Sequence, residues 1–475
     1  MGAIMGEDLA YASALDLLKW YQEGTVSPVD VTEAVLKQIE TYNSALNAFV
    51  LVDEEYALAE ARKSEDRWRS GKPKGLIDGV PCTVKDIILT KGWPTLRGSK
   101  SVDAAGPWED DAPAVSRLKE QGGVIVGKTT TPEFGWKGVT DSPRTGITRN
   151  PWNPDMTPGG PSGGASSACA AGMGALHIGT DGGGSIRIPA SFAGIFGIKP
   201  SFGRVPAWPL SPFGTVAHIG PMTRTVGEAA LMLQVLSGAD YRDWFSLPPE
   251  DIDYVAELSK TIKGKRIAYS PNLGYATVDP EVASAVKAAA ELMEDLGAIV
   301  EEKDPGFENP LPIFNTLWFS GARFALRNFT DKQLAEIDPG LRAVFDAAEN
   351  ISLTDVMEAN QARGELGITM RKFQEEYDFL MTPSLSIPAF EVGRLAPQDL
   401  EAAGAWVDWT PFSYPFNLTQ QPACSIPCGL SSGGLPIGLQ FVGRMQDDAS
   451  VLIAANAYEG ASPVAGARPD LSKLV

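Results

Sequence analysis

Two segments of the chain combine residue types suited to nucleophilic chemistry. The first is Asp78-Gly79-Val80-Pro81-Cys82-Thr83-Val84-Lys85-Asp86, where a lysine closes a short apolar strand behind a Gly-Pro turn. Burial disfavours an ammonium and lowers a lysine's pKa from about 10.4 by up to several units, so a lysine placed there can serve as a base. The competing reading is a surface lysine paired with Asp86, the commoner situation for a lysine taken alone. The second segment runs from Pro158 to Pro200 and contains Gly179-Thr180-Asp181-Gly182-Gly183-Gly184-Ser185. Three glycines ahead of a serine expose successive backbone N–H groups with no side chain in the way, as stabilisation of a developing oxyanion requires. A plain turn does not need three consecutive glycines, each of which costs conformational entropy on folding.

Three other matches carry less. Gly122-x4-Gly127-Lys128-Thr129 fits the phosphate-loop pattern, but its interior includes Val124-Ile125-Val126, which reads as a buried strand rather than a loop. Gly160-Pro161-Ser162-Gly163-Gly164 fits the G-x-S-x-G nucleophile elbow, but turn-rich Asn150–Asp155 precedes it where an apolar strand is needed. Ser116-x-x-Lys119 sits on the polar face of an amphipathic helix and lacks the partner motifs of penicillin-recognising enzymes.

Composition narrows the chemistry. The 475 residues carry 40 Lys+Arg against 59 Asp+Glu, a net charge of −19, which argues against nucleic acid or an anionic membrane surface as partner. There are only 2 histidines, His177 and His218, so a histidine base is not expected. The 4 cysteines, Cys82, Cys169, Cys424 and Cys428, have no C-x-x-C spacing and are too sparse for a disulfide framework, so a reducing, cytoplasmic setting is expected. No run approaches the length of a membrane span, and the start lacks the pattern of a secretory signal.

The elements that must position these residues follow from periodicity. Ser27 and Pro28 open a helix with Val31, Val35, Gln38, Ile39 and Tyr42 on one side. Residues 76–220 read as buried strands joined by Gly-, Pro- and Ser-rich loops, with the small-residue stretch Ala165–Leu176 as a tightly packed helix. That assignment puts the adjoining His177 in the helix, as packed core. Asp279 caps a helix that runs to Leu296, and the runs Arg266–Tyr269 and Ala298–Val300 on either side complete a βαβ unit. Residues 311–377 read as mostly helical, and strands return at Phe379–Met381, Ala423–Ile426 and Gly438–Val442. The alternation predicts an α/β fold in one large domain, a mixed sheet covered by helices on both faces.

Val84-Lys85-Asp86, Gly127-Lys128-Thr129, Asn150–Pro154, Pro158–Gly164, Gly179–Ala190, Gly197–Pro206, Gly220-Pro221-Met222 and Pro436–Arg444 together resemble the amidase signature family, Ser-Ser-Lys hydrolases of amide bonds. The match covers nearly the whole chain, residues 1–475, with a signature core at 76–220 and a variable substrate-cleft region at 305–420. The resemblance implies a central twisted mixed β-sheet surrounded by helices. It implies Ser185 as nucleophile, Lys85 as base, and the N–H groups of Gly182, Gly183, Gly184 and Ser185 as oxyanion hole. It implies no metal or organic cofactor.

One position departs from the family pattern. The relay serine, the first of two in GGSSGG, stands twenty-four positions before the nucleophile, and counting back from Ser185 reaches Pro161. Proline keeps the low cost of a cis bond but lacks the hydroxyl. Three accounts remain: Ser162 or a water relays the proton, Lys85 contacts Ser185 directly, or the chain is impaired. The expected substrate is a small-molecule amide or carbamate (urethane), with aryl acylamides among the candidates. Trp136, Trp208, Phe213, Leu317, Trp318, Phe319, Trp406 and Trp409 are expected in cleft-lining segments, against core packing as the alternative. A second function within the resemblance is the amidase component of a glutamyl-tRNA amidotransferase complex, and an oligomer is compatible with either.

Overall fold

Strand order in this chain is set by long-range pairing, and the result is one sheet that runs through the whole molecule. The computed structural model describes residues 6–398 and 406–474. Its strands are β1 (Phe49–Val52), β2 (Pro81–Lys85), β3 (Val124–Thr129), β4 (Asp141–Ser142), β5 (Gly146–Ile147), β6 (Leu176–Asp181), β7 (Phe196–Lys199), β8 (His218–Thr223), β9 (Arg266–Tyr269), β10 (Ile299–Glu302), β11 (Phe379–Pro383), β12 (Ala423–Leu430) and β13 (Pro436–Val442). Eleven of them form a mixed sheet in the order β1-β3-β2-β6-β8-β7-β12-β13-β11-β9-β10, while β4 and β5 pair as a separate hairpin. Strands β3, β2 and β6 are mutually parallel, as are β11, β9 and β10, and the strands between these two groups pair antiparallel.

The pleat sends alternate residues to opposite faces. Cys82, Val84, Ile125, Leu176, Ile178, Phe379 and Met381 join one core with the helices Pro113–Glu120, Val226–Leu236, Pro280–Asp295 and Asp448–Glu459. Val124 and Val126, out of phase with Ile125, pack on the other face against the helices Pro28–Leu46 and Glu54–Arg69. The mixed sheet with helices on both faces and the βαβ unit β9–Pro280–Asp295–β10 match the sequence expectation. So does the N-terminal helix, which begins with a capping box between Ser27 and Asp30. Residues 311–376 form four α-helices and one short 3-10 helix, Ala348–Asn350.

One helix is shorter than its composition suggests. Ala165–Leu176 reads as continuous helix, but the helix spans Gly163–Ala170. Gly172 and Gly174 take φ values of +69° and +125°, which end it and turn the chain into β6. His177 is therefore a strand residue, not a helical one, and its Nδ1 stands 2.8 Å from Thr83 Oγ1 on the adjacent β2. Among the described residues no helix is long and apolar enough to cross a membrane.

Candidate active site

The C-terminal ends of the parallel strands β2 and β6 lie side by side, and the loops that leave such ends are where α/β sheets bind ligands. Lys85 is the last residue of β2. Val84 faces the helices of the first core, so Lys85 takes the opposite side, where the helix Gly163–Ala170 begins. It is fully buried. Its Nζ donates to Ser162 Oγ at 2.9 Å and stands 2.8 Å from Thr180 Oγ1. Asp86, the next residue, does not pair with it. The Asp86 carboxylate lies 3.0 Å from Lys128 Nζ and also accepts the Leu96 N–H. Burial therefore acts on Lys85 with little opposition and lowers its pKa to about 7, the more distant Asp181 carboxylate working the other way.

Asp181 ends β6 and organises the loop that follows. Its carboxylate accepts the N–H groups of Gly184 at 2.8 Å and Ile186 at 3.2 Å, which folds residues 182–185 back over the strand end. Burial alone would raise this carboxyl's pKa. The fully buried Arg187, donating from Nε at 3.0 Å and Nη2 at 2.9 Å, prevails and holds it well below the usual range. Asn417 Nδ2 adds a bond at 2.8 Å, and Arg187 reaches on to Gln440 and Asn417. The loop is thus clamped by a buried, fully hydrogen-bonded ion pair, the arrangement in which such a pair holds a geometry well.

The glycines have a packing reason that composition does not reveal. A Cβ on Gly182 would stand 2.9 Å from the Trp318 ring, and one on Gly183 would stand 2.6 Å from Phe314 Cζ. Both aromatics belong to the helix Leu311–Ala325, which lies directly on the loop. Gly184 takes φ +126° and could not carry a side chain without strain. The Gly184 N–H, which the family resemblance puts among the oxyanion donors, is committed to Asp181. Gly182, Gly183 and Ser185 are the amides of this loop with no protein acceptor among the described residues.

Ser185 borders a cleft of about 370 Å³ together with Pro161, Thr180 and Gly182. The Gly160–Pro161 bond is cis, and the Ser162 N–H donates to the Ser185 carbonyl at 3.3 Å. Lys85 makes no hydrogen bond to Ser185; its two partners are the hydroxyls of Ser162 and Thr180. Ser162 is fully buried and begins the helix, and no strand leads into it, so the elbow pattern around it is coincidental. Lys128 is a buried strand residue. Gly127 is needed because a Cβ there would overlap the Leu51 carbonyl of β1, which disposes of the phosphate-loop reading. Lys119 pairs with Asp111 at 2.8 Å, away from the site.

The expected cleft aromatics divide. Trp208, Phe213 and Trp318 border the cleft, with Phe213 and Trp318 stacked at 3.9 Å. Trp136, Trp406 and Trp409 do not border it but lie buried in the apolar core that Trp318 also joins, where Trp409 stacks on Phe192 at 5.6 Å, and Leu317 and Phe319 are half-buried against that core. Both histidines are buried and kept neutral by that burial, His177 with its pKa at about 3 and His218 well below its ordinary value. Three polar residues of the site are not legible as such in the sequence: Thr180 and Asp181, which sit inside the glycine-rich segment, and Asn417, which comes from a distant part of the chain. The first two carry a signal in their position just before the glycines; Asn417 carries none.

Comparison with known proteins bears on what this arrangement does. The family model for amidases matches residues 30–452. An acylamidase from Rhodococcus erythropolis is 36% identical over 476 residues, covering 99% of this chain and 99% of that protein. A glutamyl-tRNA(Gln) amidotransferase subunit from a Synechococcus species is 34% identical, covering 94% of this chain and 96% of that protein. Among solved structures, a bacterial aryl acylamidase of the amidase signature enzymes superposes with a TM-score of 0.87 at 30% identity, covering 95% of this chain and 96% of that one. A 6-aminohexanoate cyclic dimer hydrolase complexed with substrate gives 0.89 at 28% identity, covering 97% and 99%.

Proposed function

The chain belongs to the amidase signature family and is a hydrolase of carboxylic amide C–N bonds, and on that premise we propose that Ser185 is its nucleophile and Lys85 its base. One observation carries the assignment. A buried lysine with its pKa lowered to about 7 contacts two hydroxyls, one of which borders the same cleft as a serine that follows three glycines. A neutral Lys85 takes the serine proton through a hydroxyl, and Ser185 Oγ adds to the carbonyl carbon. The N–H groups of Gly182, Gly183 and Ser185 receive the oxyanion. The C–N bond breaks as the proton returns to the leaving amine, and water then releases the acid from the acyl-enzyme. The relay hydroxyl is Ser162 or Thr180, both in contact with Lys85.

The substrate in this reading is a small amide with an apolar or aromatic portion, supported by Trp208, Phe213 and Trp318 at the cleft and by Phe324 and Ala325 beside them; residues 399–405 of the expected 305–420 cleft region lie outside the described residues. A carbamate (urethane) presents the same acyl carbon and belongs to the same panel. A cytoplasmic location is supported by four cysteines that are all buried and unpaired. The amidotransferase reading rests on the relatives that carry that name. The test is hydrolysis of anilides, primary amides, carbamates and glutamine by the purified chain, with Ser185→Ala as control. Anilide turnover lost in Ser185→Ala, with covalent labelling of Ser185 by a fluorophosphonate, is the expected result. Glutamine turnover without anilide turnover would favour the amidotransferase, and no labelling of Ser185 would overturn the nucleophile assignment.

A further inference from the structure

We propose that Thr180 carries the proton between Ser185 and Lys85 in this chain, taking the place of the hydroxyl that Pro161 lacks. The proposal rests on Ser185 as nucleophile and Lys85 as base. The two hydroxyls that touch Lys85 are not equivalent. Ser162 is fully buried and its oxygen is committed: it accepts from Lys85 Nζ at 2.9 Å and from the Thr180 N–H at 3.4 Å, and its own proton goes to the Thr180 carbonyl at 3.2 Å. With its proton directed at that carbonyl, Ser162 would have to break this bond before it could hand a proton to the amine, which makes it the poorer relay of the two. Among the described residues Thr180 Oγ1 is bonded to Lys85 Nζ alone, at 2.8 Å, and Thr180 borders the cleft beside Ser185 and Pro161.

A neutral amine has two protons and one lone pair. One N–H of Lys85 serves Ser162, and the lone pair faces the Thr180 proton. As Ser185 Oγ bonds to the carbonyl carbon, its proton moves to Thr180 Oγ1 and the Thr180 proton moves to Lys85, which becomes an ammonium. The reverse transfer protonates the leaving amine as the C–N bond breaks. No proton or electron pair is left over. Asp181, one residue on, folds the loop back through Gly184 and Ile186 and so brings Ser185 toward the strand end that carries Thr180.

The test is a double-mutant cycle on anilide hydrolysis with Thr180→Val, Thr180→Ser, Pro161→Ser and Pro161→Ser/Thr180→Val. Loss of a proton-transfer group costs about 10²–10⁴ in rate, so Thr180→Val is expected to lower kcat at least about 100-fold with little change in KM, and Thr180→Ser to recover most of it. Pro161→Ser supplies a second hydroxyl and is expected to reduce the cost of Thr180→Val at least about tenfold. An equal cost in both backgrounds would make Thr180 a packing residue around Lys85, and a cost under about threefold would remove it from the path. If hydrolysis survives Ser185→Ala, the nucleophile assignment fails instead.

A separate observation carries a second assignment: we infer that Arg97 forms a subsite for a carboxylate on the substrate. Arg97 borders the same cleft and is half-buried, and its guanidinium donates no hydrogen bond to another described residue. Its backbone is held at φ +55° by bonds to the Asp86 carbonyl and from the Phe134 N–H. The nearby carboxylate, Asp86, is already paired with Lys128, and of the two arginines that border the cleft Arg327 donates to the Phe324 carbonyl, which leaves the Arg97 guanidinium as the one without a hydrogen-bond acceptor among the described residues. Guanidinium is the side chain best matched to a carboxylate's two oxygens. In a chain of net charge −19, an anionic substrate needs such a local cation.

Two matched pairs test it: glutaric mono-4-nitroanilide against butyric 4-nitroanilide for the acyl side, and N-butyryl-4-aminobenzoate against N-butyrylaniline for the amine side. Arg97→Gln is expected to lower kcat/KM at least about tenfold on one anionic member, as for a lost charged contact, and under about threefold on the neutral ones. Equal losses on all four, or none on either anion, would overturn the subsite. Failure to cleave even the neutral anilides would instead count against the proposed function.

Discussion

Lys128 Nζ stands 3.0 Å from Asp86 Oδ1, with both side chains buried. The carboxylate that follows Lys85 in the chain thus neutralises the lysine of the neighbouring strand. Paired with Lys85, it would favour the ammonium and remove the base. Lys85 is left with hydroxyl partners, and burial sets its protonation.

Removing Lys128 tests this pair. Lys128→Met leaves Asp86 charged and buried, and should destabilise the fold by about 3–5 kcal/mol, measured by denaturant unfolding. Lys128→Met/Asp86→Leu should recover most of that, because the double change leaves no unpaired charge. An unshifted midpoint in the single variant would contradict the pairing.

The pH profile follows from Lys85. Its base form grows as pH rises through about 7, so kcat/KM should fall about tenfold per pH unit well below that value and level off above it. The folded state binds fewer protons at this residue than the unfolded chain between about 7 and the ordinary value of 10.5. This group therefore makes stability increase with pH across that window. A rate independent of pH on both sides of 7 would exclude Lys85 as the base.

The glycine loop should not tolerate a methyl group. Gly183→Ala sets a Cβ 2.6 Å from Phe314 and should cost about 1–3 kcal/mol as overpacking, with a lower kcat as the loop shifts. Phe314→Leu in the same chain should restore part of both losses. Unchanged unfolding and kinetics in Gly183→Ala would show that the helix Leu311–Ala325 does not press on the loop.

Two tryptophans should separate stability from binding. Trp409 is fully buried away from the cleft, and Trp409→Ala should cost about 3–5 kcal/mol by calorimetry or denaturant. Trp208 borders the cleft, and Trp208→Ala should raise KM for aryl amides with a much smaller change in stability. The opposite pattern would exchange their roles.

Much of the fold is local in origin and legible along the chain. The βαβ unit around Pro280–Asp295, the capped helix at Ser27 and the apolar strands at the C-terminal end follow from periods of 3.6 and 2 and from caps. The end of the small-residue helix escapes such a reading because Ala, Ser, Cys and Gly give no periodic contrast, and only the positive φ angles at Gly172 and Gly174 stop it. The aromatics form one group by residue type, yet Trp409 joins a core and Trp208 a cleft, a choice that depends on what faces each ring.

Strand patterning, glycine runs and family segments are written in neighbouring positions. The architecture, the family resemblance and the two residues around which the chemistry is proposed, Lys85 and Ser185, therefore come from the amino-acid order. Their surroundings come from long-range contacts. Strand order sets Asp86 against Lys128, Asp181 takes the Gly184 N–H out of the free donors, and the helix Leu311–Ala325 makes the glycines sterically necessary. The fold also brings the Thr180 hydroxyl onto Lys85 while Thr180 borders the cleft. Each of these is a contact between residues that strand register and side-chain reach bring together, and neither quantity can be read from spacing along the chain.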